Sequence, residues 1–125
     1  MSAEQQIRNL AIGRIVIGVV SYASPNLAGK IFGISSAANP QAPYLARLFG
    51  IRDIALGLGT LQSTGEARKQ WLRVGVLCDA ADAAAAVAGR QGGYLSTPSA
   101  VLLAAPAVTA TALGASALQA PVEPS

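Results

Sequence analysis

Six charged residues stand inside long apolar runs of this 125-residue chain: Arg14, Arg47, Arg52, Asp53, Asp79 and Asp82. Carboxylates set beside guanidinium groups can relay a proton, hold an ion or grip a polar substrate, and ionisable groups at membrane depth commonly mark such roles. The same six can equally neutralise one another and fix helix register, because stripping one partner from a buried pair is costly even where the whole set adds little net stability. Three positive and three negative side chains make a set that is neutral when fully ionised. Both readings stay open at this stage, as does the choice of which arginine meets which aspartate.

Other chemistry lacks its parts. The chain has no histidine and one cysteine, Cys78, so it cannot assemble a multi-cysteine metal site or an intrachain disulfide. Cys78 adjoins Asp79, whose negative charge disfavours a thiolate, and reads as a small packing residue. Asp79 and Asp82 share one helical face, yet a spacing of three does not by itself build the carboxylate geometry of a glycosidase or an aspartic protease. Gly13, Gly18, Gly57 and Gly59 fall within helical runs with no strand ahead of them, so no phosphate-cradling loop is implied. No catalytic residue, metal ligand or cofactor is expected. An enzyme acting on a lipid or a quinone-like substrate is the least supported of the readings.

The elements that must carry these charges are apolar helices. Apolar residues make up 52% of the chain and charged residues 12%, about half the charged share of an ordinary soluble domain. Four stretches, 6–23, 44–62, 70–88 and 97–118, are each long enough to cross ~30 Å of hydrocarbon. The fold expected is therefore all-α: one domain over 1–118, a four-helix transmembrane bundle with antiparallel neighbouring spans, followed by a flexible tail over 119–125. Only the fourth span is free of charge. The others carry groups costing ~2.5–3.5 kcal/mol apiece at a helix centre and need partners. A soluble helical bundle is the alternative.

Depth and face support the spans. The midpoints of the first three fall at Arg14, at Arg52 and Asp53, and at Asp79, so opposite charges meet at one level. Ala46, Gly50, Asp53, Gly57 and Thr60 recur at alternating spacings of four and three, a small-residue stripe for close helix contact with the aspartate at its centre. Gly18 and Ser21 share the face of Arg14, and Gly75, Ala86 and Gly89 that of Asp79 and Asp82. Ile12, Ile15, Val16, Val19, Ile51, Ile54 and Leu58 are left to face lipid. Tyr22, Tyr44, Trp71 and Tyr94 fall at the expected span ends, the headgroup level that amphipathic rings prefer.

Between the first two spans, Ser24, Pro25 and Gly33 punctuate a short interfacial helix. The segment Ser63 to Lys69 is a tight polar connector that makes the second and third spans antiparallel neighbours, and Gln91 to Gly93 does the same for the third and fourth. Arg8, Arg68, Lys69 and Arg73 flank one side and Lys30 and Arg90 the other, which puts both termini in the cytoplasm and the chain in the cell (inner) membrane. Its expected partners are the lipid bilayer and either further copies of itself or a membrane protein complex. The nine basic residues are too scattered to follow a nucleic-acid backbone.

The run from Ala46 to Gly57, with its R-x-x-G-x-R-D-x-x-L-G core, and the later Asp79-Ala80-Ala81-Asp82 resemble an uncharacterised family of small four-span bacterial membrane proteins, a domain of unknown function. The likeness covers the first three spans, including the Arg14 to Gly18 and Pro25 region, and implies topology rather than activity. The leading functional expectation is a non-enzymatic accessory or scaffold subunit held by a buried Arg/Asp network, with no water path to Asp53 or Asp79. The alternative is a small oligomeric transporter or proton-conducting protein that uses the same cluster and has a wet cavity.

Overall fold

A computed structural model describes residues 2–119 as five helices: α1 (Ala3–Ala23), α2 (Pro25–Ile31), α3 (Ala42–Gln62), α4 (Gly65–Gln91) and α5 (Thr97–Gln119). There is no strand among the described residues. The tail expected over 119–125 lies outside them except for Gln119, which ends α5.

Local chemistry sets the boundaries. Ser2 caps α1 by accepting a hydrogen bond from the Gln5 amide at 3.2 Å. Pro25 opens α2, which leaves α1 at an angle of 117°. At its end Gly33 adopts φ 73°, and the Ile34 amide donates back to the Gly29 carbonyl at 2.7 Å. The short helix expected between the first two spans is thus present. α4 starts five residues before the expected position, at Gly65 rather than residue 70, leaving Ser63 and Thr64 as the connector. Glu66 explains the extra turn: its carboxylate stands 3.7 Å from Lys69 and 3.8 Å from Arg73, opposite charges one and two turns on.

The all-helical class holds, but length and apolarity qualify α5 alone as a membrane span among the described residues. α1 passes only when joined to α2 across their bend, and α3 and α4 do not pass, so four spans are not established on these grounds.

The helices associate as two antiparallel pairs, α1 with α3 and α4 with α5. Each long helix buries a seam, at alternating spacings of three and four in α1, α3 and α4 and mostly at every seventh position in α5. The seam runs through Ile7, Ala11, Arg14, Gly18 and Ser21 in α1, Gly50, Asp53, Gly57 and Thr60 in α3, Leu72, Gly75 and Asp79 in α4, and Ala100, Ala107, Gly114 and Ala117 in α5. That is the heptad pattern of left-handed bundles, filled here with small and polar side chains in place of leucine.

Between α1 and α3 the backbones nearly touch. A β-carbon on Gly18 would lie 2.5 Å from the Gly50 carbonyl oxygen, and one on Gly57 would lie 2.6 Å from that of Ala11. Ile54 and Ile15 settle into these two notches, so they pack between helices instead of facing lipid as expected from sequence. Ile12, Val16, Val19, Ile51 and Leu58 do lie on the exposed surface. Because α1 occupies the narrow face of α3, the tight α3–α4 turn joins two helices that touch only lightly; the expected neighbour relation is one of direction more than of packing. Near the termini, Ile7, Leu72 and Ala117 form an apolar cluster with Leu10 and Leu118 against it.

Candidate functional site

Where the two pairs face each other they leave a cleft of about 1170 Å³. Its walls are apolar or small for most of their length: Leu45 and Phe49 of α3 on one side, Leu103, Ala107 and Ala110 of α5 on the other. α2 and the segment after it close one end, where the Ser99 hydroxyl donates to the Gly33 carbonyl at 3.0 Å. Arg14, Asp53, Asp79 and Asp82 all line the same space.

The heptad seams carry the charges to it. Arg14 of α1 crosses to α4 and grips Asp79 with both terminal nitrogens, Nη1 donating to Oδ1 at 2.9 Å and Nη2 to Oδ2. Gly75, one turn before Asp79, makes room, since a β-carbon there would meet Arg14 Nη2 at 2.8 Å. Arg52 of α3 makes the second fork, donating to Asp82 at 3.1 and 2.5 Å, while its guanidinium lies 5.0 Å from the centre of the Phe49 ring. Paired guanidinium–carboxylate contacts of this kind are the strong, directional ones. They clasp the α1/α3 pair to α4. Asp79 and Asp82 are each held by a different arginine.

Asp53 is different. Its side chain is 7% exposed, its nearest cation is Arg14 at 3.9 Å, and no donor among the described residues reaches it at hydrogen-bonding distance. Arg14 turns its fork to Asp79 and leaves Asp53 beside it, facing the cleft. Arg52 Nε is also buried without a hydrogen-bond partner.

Arg47, expected from sequence to join the charge network although it sits near the end of its span, is not in the cluster. Its Nε donates to the Tyr22 carbonyl at 3.1 Å and its guanidinium stands 6.0 Å from the Tyr22 ring centre, near the exposed ends of α1 and α3. Helix geometry explains the miss: Asp53 lies six positions after Arg47, about 9 Å along the axis and about 600° of turn, which leaves the two roughly 120° apart around α3. Arg47→Ala is accordingly expected to cost about 1 kcal/mol or less, measured by detergent unfolding of the purified protein.

Without Arg47 the cluster contains two guanidiniums and three carboxylates, Arg14 and Arg52 against Asp53, Asp79 and Asp82. It is one positive charge short when all are ionised, and the uncompensated group is the one without a hydrogen-bond donor.

No family model, curated protein or solved structure matches this chain. The charged cleft must therefore be interpreted from its own geometry.

The small-residue stripe is only partly buried. Gly50, Gly57 and Thr60 face inward, whereas Ala46 is half-exposed beside the cleft. Thr60 returns its hydroxyl to the Leu56 carbonyl at 2.8 Å, as threonines in apolar helices do. Sequence reasoning missed the α5 wall. Its signal was present in Ala100, Ala107 and Gly114, small residues repeating every seven positions. It also missed the link across the terminal end, where Arg68 Nη1 donates to Glu4 Oε1 at 2.9 Å. Among the described residues no group of three His, Cys, Asp or Glu is placed to hold a metal ion.

Proposed function

We propose that this chain is a small polytopic integral membrane protein in which Asp53 takes up and releases a proton or another cation through the cleft between the helix pairs. The observation that carries the reading is the Asp53 carboxylate: buried, beside a cleft, without a donor, in a cluster one positive charge short. A buried carboxylate whose only close cation is turned onto another aspartate is costly in a low-dielectric setting and draws in a cation or a proton.

A bilayer setting is supported by the distribution of side chains. Among the described residues the largest fully buried side chain is that of Ser21, and Arg14, Asp53 and Asp79 are as buried as Ile7, Leu56 and Leu72, while Val16, Leu45, Ile51, Leu77, Val101 and Val108 are exposed. Water would favour the opposite arrangement. Tyr22, Tyr44 and Tyr94 are exposed at one end of the bundle and Trp71 at the other, in keeping with two interfaces. On this reading α1, α3, α4 and α5 are the four spans, as the resemblance to four-span bacterial proteins also implies, with both termini on the cytoplasmic side of the inner membrane. No step calls for a nucleophile, metal or cofactor, and the role is not enzymatic.

The protein should remain with membranes after alkaline washing, and proteoliposomes should show a proton flux that Asp53→Asn abolishes while the variant stays folded. A second reading is an accessory or scaffold subunit in a membrane complex, favoured by the two completed forks, Arg14–Asp79 and Arg52–Asp82. It requires no flux in the wild type, with Asp53→Asn and Asp79→Asn altering stability alone.

A further inference from the structure

We propose that the cleft takes an amphiphilic organic cation, a protonated amine carrying an apolar body, with its ammonium on Asp53. This rests on the cation-handling reading above and names its cargo. Three observations converge. Asp53 offers a carboxylate with no donor on it, its side chain 7% exposed. The cluster around it lacks one positive charge, so an ammonium both satisfies the hydrogen-bonding capacity of Asp53 and balances the site, whereas an anion would meet a net negative floor. The cleft is large and mostly apolar: about 1170 Å³ in all, somewhat above the usual range of small-molecule pockets, walled away from the charges by Leu45, Phe49, Leu103 and Ala110. A bare proton or metal cation would leave that volume unused. A body of aliphatic or aromatic carbons fills it.

The Arg14 and Arg52 guanidiniums set the selectivity. Each is turned onto its own aspartate, so neither opposes an incoming ammonium as strongly as a free guanidinium would. Phe49, already under the Arg52 guanidinium, adds an aromatic surface at the same level as the charges.

The test uses three probes of one naphthyl-alkyl skeleton ending in an ammonium, an alcohol or a carboxylate. Each is measured by equilibrium dialysis against the full chain in detergent micelles, with protein-free micelles subtracted. The ammonium is expected to bind roughly ten- to a hundred-fold tighter than the alcohol, the worth of one charge-assisted hydrogen bond, and the carboxylate weakest of the three. Asp53→Asn should erase the preference for ammonium over alcohol. Ala110→Phe, which fills the cleft without touching a charge, should weaken both. Equal binding of ammonium and alcohol to the wild type overturns the proposal, as does a preference that survives Asp53→Asn. If Asp53→Asn does not fold, Ala110→Phe decides, and undiminished ammonium binding there overturns it. Asp53-dependent proton flux without ammonium preference refutes the cargo alone. Ammonium preference without any flux, of protons or of the ammonium probe, refutes the conducting role instead.

Discussion

Arg14→Met should destabilise the bundle by about 3–5 kcal/mol, the usual consequence of leaving a buried charge without its partner. Arg14 stands between Asp79, which it holds with two hydrogen bonds, and Asp53 at 3.9 Å. Its loss strands two carboxylates in a space where neither has another donor at hydrogen-bonding distance. The double variant Arg14→Met with Asp79→Leu should recover most of the loss, because it removes the stranded partner and fills the gap over Gly75 with carbon. Unfolding midpoints in mixed micelles for the two single variants and the double variant check this. A double variant no more stable than Arg14→Met would show that the fork itself, rather than the uncompensated charge, governs stability.

Gly18→Val is the second large effect, about 3 kcal/mol or more and enough to separate α1 from α3. Its β-carbon would lie 2.5 Å from the Gly50 carbonyl oxygen and 2.9 Å from the Ile54 amide nitrogen, and neither is the flexible end of a side chain. Gly13, one turn and a half earlier in the same helix, has nothing within 4 Å of the same position. Gly13→Ala should therefore be neutral or stabilising by up to ~1 kcal/mol, the helix-propensity gain of alanine over glycine. Comparing the two by the same unfolding measurement separates crowding at a particular contact from any general effect of removing a glycine.

How much of this could be read in advance differs from one element to the next. The helices were legible because Pro25, Pro43, the Ser63-Thr64 pair and the Gly92-Gly93 turn interrupt long apolar runs, and Gly33 closes the short helix between them. The shared depth of Arg14, Asp53 and Asp79 was legible from counting residues along the spans. What counting along an axis omits is rotation about it, and Arg47, which already lies about 9 Å from Asp53 along α3, was counted into the cluster on its charge alone. Ile15 and Ile54 were assigned to lipid for a related reason: a face is set by which neighbour's glycine creates a notch, and the notch at Gly57 belongs to another helix. Helix partners were illegible for the same physical cause. The small-residue stripe of α3 announces close contact but suits any helix with a matching stripe, and α1, α4 and α5 all carry one. The cleft follows from that choice of partners. Pairing α1 with α3 and α4 with α5 leaves a gap that no local sequence signal describes.

The separation of Arg14 from its partner along the chain also imposes an order of events during biosynthesis. Asp79 lies 65 residues after Arg14. At a synthesis rate of roughly 5–20 residues per second, seconds pass between the appearance of the two. Asp53 emerges sooner, on the helix that zips against α1 through Gly18 and Gly50. During that interval the nascent α1–α3 hairpin has a single acidic group at the depth of Arg14, and it is Asp53.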